Sequence, residues 1–138
     1  MSAKPTPLLE VDLEWEGGLR FRGRSGDQEV LMESPPRAGH SPVQALGFGL
    51  AGCMAMDVAS ILERGRHDVK AIRARMEGRR SPDHPKRLVA VDLRFTVSGP
   101  VPSDRVERAI QLSRQTYCSV WHSLNPDIEF TTSFEIKD

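Results

Sequence analysis

The sequence predicts an α+β fold with the element order βββ-α-ββ-α-β. Two observations carry that prediction. Segments near both ends alternate strictly between apolar and polar residues, which is the period of a strand. A Ser-Pro-x-Gln start also opens a long apolar run at helical spacing.

From Leu9 to Glu16, Leu9, Val11, Leu13 and Trp15 alternate with Glu10, Asp12, Glu14 and Glu16, the pattern of a half-buried strand. After Gly17-Gly18, Phe21 lies between Arg20 and Arg22, giving a second strand. A three-residue loop, Gly17-Gly18-Leu19, sets Trp15 opposite Phe21, Glu14 opposite Arg22 and Glu16 opposite Arg20. A two-residue turn would put Trp15 against Arg20 instead, so the longer loop is preferred. A Gly26-Asp27 turn returns the chain through Glu29 to Met32, completing a three-stranded meander. Later, Val89, Val91, Leu93, Phe95 and Val97 share one face, as do Ile128, Phe130, Phe134 and Ile136. Val69 to Glu77 is a weaker strand with Ile72, Ala74 and Met76 on one side, followed by a turn at Ser81 to Lys86.

The first helix opens at Ser41-Pro42-Val43-Gln44, a capping box with proline at the first helical position, and runs to about Arg64 before Gly65. Leu46, Leu50, Met54, Val58 and Ile61 cover one side; Phe48, Ala51, Ala55, Ala59 and Leu62 cover another. A helix apolar on most sides must be buried on most sides. The second helix runs from about Ser103 to Tyr117 or a little beyond, with Val106, Ile110, Ser113 and Tyr117 along one face. One small sheet covers only one side of the first helix, so the second helix and a second subunit are expected to cover the rest.

At 138 residues the chain is read as a single domain, 1–138. The 19 basic and 19 acidic residues cancel, leaving no field to favour nucleic acid or an anionic membrane surface. The N-terminal MSAKPTPLLE lacks the apolar core of a signal peptide, and no apolar run is read as approaching the roughly 18 residues of a spanning helix. A cytoplasmic location is expected, and there the two cysteines would be free, redox-active or metal-binding rather than a permanent staple. The plainer reading is that each fills core space.

The stretch GFGLAGC, Gly47 to Cys53, contains G-x-G-x-x-G. A dinucleotide site needs those glycines between a strand and a helix start, whereas here the helix is already under way from Ser41. Three interior glycines, each costing up to about 1 kcal/mol relative to alanine, call for a packing reason, and close approach of another helix supplies one.

Cys53 falls in the middle of the first helix and Cys118 at the end of the second, so antiparallel packing would bring them together. A cysteine attacks as thiolate and needs a nearby cation to become one. The helix dipole acts only near a terminus, and Cys53 is about 12 residues, roughly 18 Å, from the helix start. The candidate cations are Arg20, Arg22, Arg24 and Arg114, and Asp57, one turn after Cys53, opposes them. As ordinary surface charges, Arg20 and Arg22 would pair with Glu16 and Glu14. Cys53 with Asp57 and Cys118 with His122 form two i, i+4 pairs that could converge on a metal, but the spacing is unspecific and no metal is assigned.

SPVQALGFGLAGCMAMDVASIL, then HP in a loop, then RAIQLSRQTYCSV, resembles the OsmC/Ohr family from about Val11 onward. SPVQ, CMAMDVASIL and TYCSV are similar to a less characterised branch of it. The resemblance implies an intertwined α+β homodimer, with two long central helices packed on a mixed or antiparallel sheet and the cysteine pairs at the subunit interface. It also implies a thiol-dependent peroxidase in oxidative and osmotic stress defence, working without a cofactor. Cys53 would attack an organic or lipid hydroperoxide, Cys118 would close a disulfide, and a dithiol, of lipoyl type for example, would reopen it.

The best-characterised members of this family carry a glutamate ten positions before the reactive cysteine, which with an arginine orders the site; here that position is Val43, and Gln44 points about 100° around the helix. Arg20 and Arg22 bracket the place of the arginine, after Trp15-Glu16-Gly17. Val43 favours an alternative, a non-catalytic stress-associated dimer that binds an apolar ligand or senses redox state. The retained cysteine pair favours the peroxidase.

Overall fold

The computed structural model describes residues 4, 6 and 8–137. The chain forms two compact units, one ending at Leu46 and the other beginning at Gly47.

The first unit contains β1 (Asp12–Trp15), β2 (Arg20–Ser25) and β3 (Gln28–Glu33), an antiparallel sheet in the order β1-β2-β3. Trp15 stands opposite Phe21 and Glu14 opposite Arg22, the register that the three-residue loop predicts. The Glu16 N–H donates to the Arg20 carbonyl at 2.9 Å to close that loop, and Gly17 and Gly18 take φ of 103° and 55°, a conformation that glycine adopts without strain. The expectation of a half-buried first strand is overturned. β1 begins only at Asp12 and is exposed along its whole length. A single three-stranded layer has no second layer of its own to bury against, so Leu13, Trp15, Phe21 and Val30 share one face and remain 39–67% exposed.

The first-unit arginines pair differently from the surface pairs expected. Arg20 meets Glu33, its direct neighbour on β3, at 2.9 Å; Arg22 meets Glu16 at 2.7 Å and Glu29 at 3.4 Å; Arg24 takes Glu14 and Glu29. The third strand supplies the partner of Arg20 and a carboxylate on the other flank of Arg22 and Arg24, which a two-strand register cannot foresee.

α1 (Pro42–Arg64) starts at the capping box expected: the Gln44 N–H donates to Ser41 Oγ, and the Ser41 N–H donates to Gln44 Oε1. By length and composition it suffices to cross a membrane, with a mean hydropathy of 1.7 over its best window, which corrects the expectation that no run approaches that length. One stripe of α1, Leu50, Met54, Val58 and Leu62, is buried at i, i+4 spacing in the core of the second unit. Leu62 thus replaces Ile61 in the stripe, and in the single chain Leu46 and Phe48 are 38% and 62% exposed.

β4 (Ala71–Arg80), β5 (Leu88–Ser98) and β6 (Glu129–Lys137) form the second sheet, with β5 central, β4 antiparallel to it and β6 parallel. Register aligns the apolar rows: Ile72, Val97 and Ile136; Ala74, Phe95 and Phe134; Met76 and Leu93. The expected faces of β5 and β6 hold, and this apolar face supplies Val91, Leu93, Phe95, Val97 and Phe130 to the core.

The second long helix is broken. α2 (Ser103–Leu112) passes into a π-helical turn at Ser113–Tyr117, extended backbone at Cys118, and a short α3 (Ser119–His122). The π-turn holds one residue more per hydrogen-bonded ring, so the buried stripe Val106, Ala109, Ile110, Ser113 continues at Cys118 rather than at the expected Tyr117, which is 59% exposed.

The glycine expectation needs partial correction. A methyl at Gly47 would meet the end of the Met76 side chain at 3.2 Å, but at Gly49 only Val120 lies near, at 4.0 Å, and at Gly52 nothing lies within 4 Å. All three lie inside α1, with their amides committed to the helix rather than free for a phosphate.

Candidate functional site

The two cysteines, 65 residues apart in sequence, meet in the second unit. Both are free thiols, and Cys53 is a neighbour that acts on the Cys118 thiol. α1 supplies Cys53 at its middle, half-buried. Cys118 is fully buried, at the break between the π-turn and α3.

The break places the second sulfur. The Cys118 N–H donates to the Ser113 carbonyl at 2.8 Å, closing the π-turn, while extended dihedrals (φ −75°, ψ 98°) swing the residue out of the helix. The His122 N–H then donates to the Cys118 carbonyl at 3.1 Å, and the Trp121 N–H donates to the Cys118 sulfur at 3.3 Å, so Cys118 caps α3 with its own side chain. Burial pushes the Cys118 thiol up to about 11, an effect that the neighbouring Cys53 reinforces and the Trp121 N–H opposes. At neutral pH Cys118 is a thiol, not a thiolate.

Asp57, one turn after Cys53, accepts a 2.7 Å hydrogen bond from Ser113, whose hydroxyl is fully buried. Sequence reasoning treats Asp57 as a charge near Cys53 and as half of a metal-ligand pair with it, and misses this partner. The available signal is a serine on the otherwise apolar stripe of α2. His122 is exposed while Cys118 is buried, and among the described residues no three His, Cys, Asp or Glu gather into a metal-binding set.

Arg114 donates to the Phe130 carbonyl at 2.7 Å and stacks 4.8 Å from the centre of the Phe130 ring, which also packs against Trp121 at 4.4 Å. It ties the π-turn to β6. Arg20 and Arg22 lie on β2, each held by carboxylates of the first unit. The Glu33 carboxylate is held below its usual range, first by the Ala38 N–H at 2.9 Å and then by Arg20. Arg22 is raised, chiefly by its hydrogen bond to Glu16. A hollow of about 440 Å³ opens on the polar face of the second sheet, lined by Glu77, Asp92 and Glu129 among others and by neither cysteine.

A family model described as OsmC-like protein matches residues 35–133. Protein YhfA of Escherichia coli is 33% identical over 132 residues, covering 93% of this chain and 98% of its own. The crystal structure of a hypothetical protein from Aquifex aeolicus superposes with a TM-score of 0.89 at 28% identity, covering 96% of this chain and 98% of that one. An organic hydroperoxide resistance protein from Elizabethkingia anophelis shares the fold, with a TM-score of 0.72 at 14% identity, covering 98% of this chain and 100% of that one.

Proposed function

Since the chain belongs to the OsmC-like protein family, we propose that it is a thiol-dependent peroxidase that reduces organic hydroperoxides with Cys53 and Cys118. The observation that carries this reading is the meeting of two free thiols from distant segments, one half-buried and one fully buried. Unequal exposure divides the labour. The more accessible Cys53 meets the substrate, and the buried Cys118, held protonated, waits to resolve.

In the first step the Cys53 thiolate attacks a peroxide oxygen. A sulfur–oxygen bond forms, the oxygen–oxygen bond breaks, and the departing alkoxide takes a proton and leaves as the alcohol. Cys53 is then a sulfenic acid, oxidised by two electrons. Cys118 attacks that sulfur; the disulfide forms, the sulfur–oxygen bond breaks, and hydroxide leaves as water with the Cys118 proton. A dithiol of the lipoyl class exchanges with the disulfide and becomes oxidised in turn, restoring both thiols. No metal or cofactor enters this cycle. Arg20 and Arg22 are the proposed thiolate-activating cations, on their position after Trp15-Glu16-Gly17. The setting is a cytoplasm that keeps thiols reduced, in stress defence.

The working form is a homodimer. Phe48 and Met56 of α1 are 62% and 73% exposed, Gly52 has open space beside it, and the apolar row Leu13, Trp15, Phe21 and Val30 is uncovered. Surfaces of this kind mark interfaces, and a second copy would cover them. Analytical ultracentrifugation is expected to give twice the chain mass; a monomer at micromolar concentration would count against it.

The test of function is consumption of tert-butyl hydroperoxide with a dithiol reductant. Turnover is expected in the wild-type protein and lost in Cys53→Ser; unchanged turnover in that variant defeats the proposal. The second reading, a non-catalytic dimer that binds an apolar ligand or senses redox state, draws on Val43 standing in the family's glutamate position. Intact mass after one equivalent of hydroperoxide separates the two. Loss of two hydrogens, reversed by dithiol and absent from either Cys→Ser variant, supports the cycle, and slow unspecific oxidation supports the ligand-binding reading.

A further inference from the structure

Resolution by Cys118 requires more than proximity. After Cys53 becomes a sulfenic acid, the second sulfur must approach nearly in line with the breaking sulfur–oxygen bond, and a misplacement of 1 Å can cost about 10²-fold in rate. Cys118 stands on a segment that is neither helix nor strand, between a π-turn and the four-residue α3, and such a segment needs an external fix.

The contact that supplies one lies a turn away. On α1, Cys53 and Asp57 are four residues apart and so share a face. Across from them, Ser113 and Cys118 are the two ends of one π-turn, joined by the 2.8 Å bond from the Cys118 N–H to the Ser113 carbonyl. The two segments therefore meet at two rungs, Cys53 with Cys118 and Asp57 with Ser113. The second rung is a 2.7 Å hydrogen bond from a hydroxyl with no solvent exposure to a carboxylate, a bond of the charge-assisted kind that is short and directional. In an uninterrupted α-helix, residues five apart lie about 140° apart around the axis, and one contact could not register the other. The π-turn brings Ser113 and Cys118 onto one stripe.

We propose that Asp57 and Ser113 are positioning residues for the thiol pair, their hydrogen bond setting the register that lets Cys118 attack an oxidised Cys53. The inference rests on the two-cysteine cycle above and adds to it a determinant of which oxidation product accumulates. A sulfenic acid that Cys118 does not reach in time is oxidised by a second hydroperoxide to sulfinic acid, with release of a second alcohol. Weakening the second rung therefore diverts Cys53 from disulfide to sulfinic acid.

The experiment uses wild-type protein, Asp57→Ala, Asp57→Asn and Ser113→Ala, each reduced and then given excess tert-butyl hydroperoxide. Intact mass reads the share of disulfide and sulfinic acid, and thermal melting reads folding. Asp57→Ala and Ser113→Ala are expected to close the disulfide about tenfold more slowly and to accumulate sulfinic acid. Asp57→Asn, which keeps an oxygen acceptor for the Ser113 hydroxyl, is expected to restore the wild-type partition whatever its melting temperature. Should Ser113→Ala fail to fold, Asp57→Ala carries the comparison, since Asp57 is only half-buried. Wild-type closure with an unchanged partition in folded Asp57→Ala overturns the inference alone, and so does Asp57→Asn behaving as Asp57→Ala. Wild-type protein that forms no disulfide overturns the function and this inference with it.

Discussion

The Trp121 backbone N–H points at the Cys118 sulfur from 3.3 Å, so a fully buried thiol closes the first turn of the helix that follows it. A sulfur committed in this way, and held protonated by burial, differs from Cys53 on the half-buried face of α1.

Thiol alkylation is therefore expected to be ordered. With iodoacetamide at neutral pH, Cys53 is modified first, and Cys118 follows at least tenfold more slowly, because burial holds Cys118 protonated and leaves Cys53 the more accessible sulfur. Peptide mapping of a time course checks this. Modification of Cys118 at the same rate as Cys53 would remove the basis for assigning the two sulfurs different tasks.

The same burial makes stability depend on alkaline pH. Cys118 titrates at about 11 in the folded chain against an ordinary 9.0, because burial disfavours its charged form. The unfolded chain thus loses this proton first. Below pH 9 both states keep it and the full stability is present; as pH rises from about 9 to about 11 unfolding draws the proton off, and stability falls by an amount on the order of 2 kcal/mol. Urea unfolding under reducing conditions should show this decline, and Cys118→Ala should flatten it. An equal decline in that variant would place the titration elsewhere.

Arg114 supplies a mechanical prediction. Its bond to the Phe130 carbonyl and its stacking on that ring join the π-turn to β6. Arg114→Ala is expected to cost about 2 kcal/mol in urea unfolding, from a charged hydrogen bond together with a cation–π contact. Arg114→Lys recovers less than half of that, since an ammonium cannot stack and bond in the same geometry. Full recovery by lysine would mean that charge alone is at work.

These residues mark where the sequence was legible. Trp15 opposite Phe21 could be read because period-two alternation and a glycine loop together leave one register that pairs apolar with apolar. The faces of β5 and β6 were legible for the same reason, and the capping box fixed the start of α1. The π-turn left no such mark. An extra residue in one turn alters no composition, and the pattern Val106, Ile110, Ser113, Tyr117 fits an ordinary helix, whereas in the structure the buried position falls at Cys118. Alternation also reports which residues share a face, not whether anything covers it, so Leu13 and Trp15 were expected inside and lie outside. Pairing of Asp57 with Ser113 joins residues 56 apart and depends on that same turn.

Val43 offers a test of whether the helix start bears on activation of Cys53. It occupies the second helical position of α1, whose first turn holds no acidic residue. Val43→Glu places a carboxylate near the exposed amides of that turn, an arrangement worth about 0.3–1 kcal/mol, so the variant should melt slightly higher. If a glutamate here orders an activating arginine, the rate at which hydroperoxide oxidises Cys53, followed by stopped-flow fluorescence, should rise at least several-fold in Val43→Glu. That gain should disappear when Arg20 or Arg22, whichever is the partner, is also changed to methionine. The double substitution identifies the cation, because residues that act as a unit lose their effects together rather than additively. A variant with higher melting temperature and unchanged oxidation rate would show that Val43 affects the helix start alone, and would direct the search for the activating charge away from both arginines.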